Sequence, residues 1–212
     1  MSSLYFSVVV AIALLFLRGK VDAVKCGSDE VKVQKKGVNI ESNGCSKPAF
    51  IDVPGEEDYT YCCDRHDACY ATCGLSKALC DTDFGNCMEK MCKTHFTRNP
   101  LCESAAETYT MGTRVFGKDG YDDLQERHCV CVDKDKVREH YEETIDSYLS
   151  KYVDESKRES TQTYMEKSKY TDNKPQKLFY QILKKFPQVI QHIDARAMRE
   201  DVPPGYDSRD EL

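Results

Sequence analysis

The sequence predicts a mainly α fold, a disulfide-linked antiparallel helix pair followed by a charged helical extension at the C-terminus. Three observations lead there. All 12 cysteines lie between Cys26 and Cys131 of a 212-residue chain. An even, clustered set of this kind reads as a disulfide framework formed in an oxidising compartment. Two stretches within that region place cysteine and apolar side chains at helical spacing, and residues 133–212 do the same with apolar residues and no cysteine.

The chain divides into residues 1–23, 24–132 and 133–212. Residues 4–17 are almost wholly apolar, too short for a comfortable membrane span and suited to a signal-peptide core. Val21-Asp22-Ala23 offers a cleavage site, with an uncleaved anchor as the rival reading. The run Arg209-Asp210-Glu211-Leu212 differs by one residue from the Lys-Asp-Glu-Leu address, so the expected location is the endoplasmic reticulum lumen, with the retention receptor as a partner. Secretion is the alternative if that address is not read. The formal charge of −6 argues against nucleic-acid binding and against strong electrostatic capture by anionic membranes.

Within 24–132, Gly44-Cys45-Ser46-Lys47-Pro48 reads as a loop and Pro54-Gly55 as a turn. A first helix is expected over about 57–73, with Gly74 as its stop. A second is expected over about 77–96, with Cys80, Phe84, Cys87, Met88, Met91 and Cys92 forming a stripe. Residues 103–115 fit a helix and 117–120 a turn. In the extension, Val137, Tyr141, Ile145, Tyr148, Leu149 and Tyr152 form one stripe, and Leu178, Phe179, Ile182, Leu183 and Phe186 another. The polar stretch 156–173 reads as a linker or loose helix, and Val189, Ile190 and Ile193 as a helical continuation beyond a Pro187 kink. These stripes are expected to pack on the module or on each other, because their charges are mixed and tryptophan is absent.

Residues 62–70, Cys-Cys-Asp-Arg-His-Asp-Ala-Cys-Tyr, concentrate the chemistry. Cys62, His66 and Tyr70 fall on one helix face, and Asp67 points about a quarter-turn away. If Cys69 joins Cys80 and Cys62 joins Cys87, the two helices are clamped antiparallel and Asp81 approaches His66. Connectivity is not readable from spacing alone, so that pairing stays a supposition. A carboxylate on one ring nitrogen would set the tautomer and leave the other nitrogen free to take a proton.

The run 62–70, with Cys80-Asp81-Thr82-Asp83-Phe84-Gly85-Asn86-Cys87 downstream, resembles the active-site helices of the secreted phospholipase A2 family, closest to the group XII type. The resemblance covers about 43–131. It implies calcium-dependent hydrolysis of the sn-2 ester of glycerophospholipids, releasing free fatty acid and lysophospholipid at a phospholipid membrane surface or lipid aggregate. It implies His66 as the base that activates water, Asp81 as its orienting partner and Tyr70 as a supporting hydrogen bond. It implies Ca²⁺ held by Asp67 and by the carbonyls of Gly44, Ser46 and Pro48, with the Ser46 N–H facing the oxyanion. It also implies Cys45–Cys63 beside Cys62–Cys87 and Cys69–Cys80. The family loop is glycine-rich after its cysteine, whereas Ser46, Lys47, Pro48 and Ala49 stand here. That departure motivates the alternative of a non-catalytic phospholipid- or protein-binding member.

Simpler readings stand beside these. The cysteine–histidine run is compatible with zinc, although zinc needs thiolates. His66 could be structural, and Asp81 a helix N-terminal acid. His95, His128, His140 and His192 read as surface residues, and Asp64 and Asp83 as solvated or helix-polar.

Overall fold

The computed structural model describes residues 24–45, 59–96, 99–168 and 174–193. The expected signal segment, the loop residues Ser46 and Pro48 and the run 209–212 lie outside the described residues. Among the described residues the chain forms seven α-helices and four short strands. In order these are β1 (Glu30–Gln34), β2 (Ile40–Ser42), α1 (Thr60–Ala71), α2 (Lys77–Thr94), α3 (Cys102–Phe116), α4 (Lys118–His128), β3 (Cys129–Asp133), α5 (Val137–Tyr152), α6 (Thr161–Lys167), α7 (Pro175–Lys185) and β4 (Ile190–His192). The mainly helical, disulfide-rich expectation holds.

Helices α1 and α2 form the frame. Cys62–Cys87 and Cys69–Cys80 bridge them, and pairing the earlier cysteine of one with the later cysteine of the other makes them antiparallel. Cys92–Cys102 carries the frame on to α3, and Cys45–Cys63 ties the loop after β2 to α1. Cys73–Cys129 and Cys26–Cys131 anchor the β1–β3 ribbon, so no described cysteine is free. Zinc therefore has no thiolate to bind.

Local chemistry explains the helix ends. Ser76 Oγ accepts from the Leu79 N–H at 3.3 Å and caps α2. Gly74, at φ 79°, turns the chain between α1 and α2 in a conformation that suits glycine. The last carbonyls of α1 would lack intrahelical partners. The buried Gln125 carboxamide supplies them, donating to the Tyr70 carbonyl at 2.7 Å and to that of Thr72 at 3.0 Å.

The extension shares a core with the cysteine module. Tyr141, Ile145, Tyr148 and Leu149 of α5 and Leu178, Phe179, Ile182 and Leu183 of α7 bury against one another and against Ala68, Ala71 and Val33. Small residues at 68 and 71 let the extension approach α1 closely. A second cluster sits between α1, α2 and α3 around Tyr59, Phe84, Met88 and Met91. Phe179 is fully buried. Phe179→Ala should cost about 3–5 kcal/mol in a denaturant titration, and a loss no larger than that of a surface substitution would show that the extension is not part of the core.

The structure departs from the expected elements where distant contacts decide. The turn expected over 117–120 is instead the start of α4. Lys118–Asp122 and Asp123–Arg127 pairs line that helix, and the Tyr121 hydroxyl anchors it on the Leu75 carbonyl at 2.7 Å. The polar stretch 156–173 contains α6, capped by Ser160, with Tyr164 and Met165 buried. Beyond Pro187 the α-helix does not continue: a single 3-10 turn over Pro187–Val189 leads into β4, which pairs in parallel with β2, aligning Ile40 with Ile190 and Ser42 with His192. β1 pairs antiparallel with β3. His128 is buried rather than exposed, its ring nitrogens 2.9 Å from the Leu124 carbonyl and 3.2 Å from that of Asn39. His140 Nε2 lies 2.6 Å from the Gln34 carbonyl. Asp83 is not simply solvated, since it accepts from the Tyr180 hydroxyl of α7 at 2.6 Å and faces Arg65 and Lys184.

Candidate active site

His66 lies in the middle of α1, one turn from Cys62 and one from Tyr70. The bridges to α2 hold it opposite Asp81, which follows Cys80. Its Nε2 is 3.0 Å from Asp81 Oδ1, and both side chains are buried. The ring packs between Phe84 and Tyr70, with centroid distances of 4.7 and 4.1 Å.

Asp81 gathers three donors. The Tyr70 hydroxyl donates to Oδ1 at 2.6 Å, the His66 ring reaches the same oxygen, and Lys77 Nζ donates to Oδ2 at 2.7 Å. Burial alone would push the Asp81 carboxyl up. The hydrogen bonds from His66, Lys77 and Tyr70 outweigh burial and bring it down to about 2. Burial first, and then the bond to Asp81, push the Tyr70 phenol well above its ordinary value. Tyr70 is therefore a neutral donor to an ionised carboxylate. The Nε2–H of His66 donates to that carboxylate, so Nδ1 carries the lone pair.

Asp67 sits one residue further on and faces the end of β2. Its Oδ2 accepts from Ser42 Oγ at 2.9 Å and from the Asn43 N–H at 3.2 Å. Burial pushes its carboxyl up to about 7, against those two hydrogen bonds, and the nearby Asp64 charge adds to the rise. Ser42 Oγ is also 2.6 Å from Asp64 Oδ1, yet a hydroxyl has one proton. The two carboxylates thus share one hydroxyl donor, and the His192 ring lies 3.5 Å from Asp64 Oδ1. Gly44 follows at φ 66°, within bonding distance of Ser42 through its N–H. Among the described residues no group of three or more acidic, histidine or cysteine side chains forms a metal cluster. Asp67 with a backbone-carbonyl donor such as Gly44 suits a hard cation, because a carboxylate and carbonyl oxygens are the ligands such an ion takes.

The structure therefore brings His66, Asp81 and Tyr70 together and sets Asp67 beside the start of the loop. Ser46 and Pro48 lie outside the described residues. Lys77 was not singled out from the sequence, although its i,i+4 spacing to Asp81 is a usable signal. Ser42 had no such signal, being 25 positions from Asp67.

A family model described as "Group XII secretory phospholipase A2 precursor" matches residues 4–139. The human Group XIIA secretory phospholipase A2 is 35% identical over 115 residues, covering 49% of this chain and 55% of that protein. The mouse Group XIIB secretory phospholipase A2-like protein is 34% identical over 114 residues, covering 45% and 56%. Conodipine-P3 of Conus purpurascens is 35% identical over 71 residues, covering 32% and 39%. The chain thus spans little more than half the length of the human and mouse relatives it matches. No solved structure gives a significant match. With the family model running across both bridged helices and the paired His66 and Asp81, the chain belongs to the group XII secretory phospholipase A2 family.

Proposed function

We propose that the chain is a calcium-dependent phospholipase A2 that hydrolyses the sn-2 ester of glycerophospholipids. The observation that carries this reading is the 3.0 Å contact of His66 Nε2 with an ionised, triply bonded Asp81, with Asp67 one residue away. His66 Nδ1 takes a proton from water as the water oxygen attacks the sn-2 carbonyl carbon. Asp81 holds the ring in the productive tautomer and stabilises the imidazolium that forms. The same nitrogen then returns the proton to the departing glycerol oxygen as the acyl C–O bond breaks, giving fatty acid and lysophospholipid. Asp67, with the carbonyls of Gly44, Ser46 and Pro48, would hold Ca²⁺, which supplies electrostatic stabilisation of the developing oxyanion and a grip on the phosphate. The six disulfides support folding in an oxidising compartment.

The second reading, a non-catalytic phospholipid-binding member, is favoured by Ser46, Lys47, Pro48 and Ala49 in a loop that is glycine-rich elsewhere in the family. Fatty-acid release from sn-2-labelled phosphatidylcholine, with calcium and with a chelator, separates the two. Calcium-dependent release supports the enzyme. Vesicle binding with no release in either condition overturns it.

The proposed partner is a lipid surface. Met111, Val115 and Phe116 are 58%, 61% and 80% exposed at the end of α3, an unusual group for water. That end lies against Tyr70, which supports the dyad, since a Cβ on Gly117 would stand 2.7 Å from the Tyr70 hydroxyl. Phe116→Ser should lower the partition coefficient onto phosphatidylcholine vesicles by about 10- to 100-fold, because a fully inserted aromatic ring contributes about 1.5–3 kcal/mol. Unchanged sedimentation would place the lipid surface elsewhere.

A further inference from the structure

We propose that Lys77 is a positioning residue of the dyad, one that pins the Asp81 carboxylate and fastens it to the C-terminal end of α3. The inference rests on the phospholipase reading for its catalytic consequence, and on geometry alone for the positioning itself.

Lys77 stands in the first turn of α2, where a cation opposes the helix dipole. Helix stability therefore does not account for it. Nor is it an ordinary surface i,i+4 pair, because the Lys77 and Asp81 side chains are only 17% and 6% exposed. Its ammonium donates to Asp81 Oδ2 at 2.7 Å and to the Thr113 carbonyl at 2.7 Å, with the Arg114 carbonyl at 3.4 Å. Thr113 and Arg114 belong to the last turn of α3, whose carbonyls carry the negative end of that helix, and the Thr113 carbonyl accepts the Lys77 ammonium beside the Gly117 N–H at 2.9 Å. Lys77 thus bridges a carboxylate and a helix C-terminus, two groups that would otherwise repel one another.

The division of the Asp81 oxygens makes the role specific. Oδ1 takes both His66 and Tyr70, and Lys77 donates to Oδ2. Two donors on one oxygen leave the carboxylate able to rotate about its bond to that oxygen's partners. A third donor on the other oxygen, held by α3, sets the plane of the group and hence the direction in which the imidazole is held. The Lys77 ammonium also lies 5.8 Å from the centre of the Tyr70 ring, so the same cation touches both supports of His66.

The test compares Lys77→Met, Lys77→Gln and Lys77→Arg in the full chain. One readout is the His66 Nε2–H resonance in protein labelled with ¹⁵N-histidine, which needs no turnover. It should be slow to exchange in the wild type, broadened or lost in Lys77→Met and Lys77→Gln, and restored in Lys77→Arg. The other is sn-2 hydrolysis, where Lys77→Met should lower kcat about 10- to 100-fold, as expected for a displaced catalytic group. KM should stay within about two-fold and Lys77→Arg should recover most of kcat. Lys77→Gln keeps a donor toward the Thr113 carbonyl and serves if the methionine variant does not fold. A lower melting temperature with an unchanged His66 resonance and unchanged kcat would overturn the proposal, leaving Lys77 as a strut between helices. A wild type without hydrolysis would sink the phospholipase reading, while the ring resonance would still decide the role of Lys77.

Discussion

His66→Gln is expected to remove sn-2 hydrolysis by a factor of about 10²–10⁴, the range that a positioned general base contributes. The substitution is chosen for what it keeps. His66 is nearly buried between Phe84 and Tyr70 and gives its Nε2–H to Asp81. A glutamine amide can still donate to that carboxylate, so Asp81 is not left unpaired in a buried site. The frame is held separately by Cys62–Cys87 and Cys69–Cys80 on either side of position 66. The variant should therefore fold, keep its disulfides and sediment with vesicles like the wild type, while losing turnover. Fatty-acid release at the wild-type rate from a folded His66→Gln protein would remove the dyad from the chemistry.

Asp67→Asn is expected to remove the Asp67 contribution to the pH dependence of the metal-free protein's stability and to abolish its response to calcium. Burial holds the Asp67 carboxyl at about 7 in the folded chain, above its ordinary 3.8. A carboxyl raised in this way favours the folded state while it is protonated. That contribution is full below about pH 4 and is lost as pH rises through 7. Asparagine carries no such charge, so the variant without metal should melt higher than the wild type at pH 8, and the two should converge near pH 4. A shift of about 2–4 °C per kcal/mol is expected for a chain of this size. Calcium should raise the wild-type melting temperature at pH 8 and leave Asp67→Asn unmoved. Because the ion and the proton compete for one carboxylate, calcium affinity should weaken below pH 7 and binding should release protons, measurable by calorimetry in buffers of different ionisation enthalpy. A wild type and variant with the same calcium-induced shift would place the ion away from Asp67.

Much of the helical frame was legible in the order of residues. A helix returns every three to four positions, so Cys62, His66, Cys69 and Tyr70, and likewise Cys80 and Cys87, declare their shared faces over short spans. The buried stripes of α5 and α7 are visible for the same reason. Strands of five and three residues carry too few alternations to show, and β2 and β4 pair across about 150 positions. The continuation past Pro187 looked helical because its apolar residues keep the right spacing, but the open edge of β2 offers backbone partners that spacing does not register.

The candidate site divides along the same line. Which side chains do chemistry, and which two helices carry them, follows from residue type and local period. How each is tuned follows from groups that arrive from far along the chain. Lys77 reaches Thr113 across 36 positions, Ser42 reaches Asp67 across 25, and Gln125 closes the end of α1 across 53 to 55. Such hydrogen bonds leave no periodic trace, since any polar residue can make them once packing delivers it. The letters therefore name the base, its acid partner and the carboxylate beside them. The folded chain decides that the partner is ionised, that burial raises the neighbouring carboxyl, and that the extension belongs to the same core, because burial and charge compensation depend on neighbours in space.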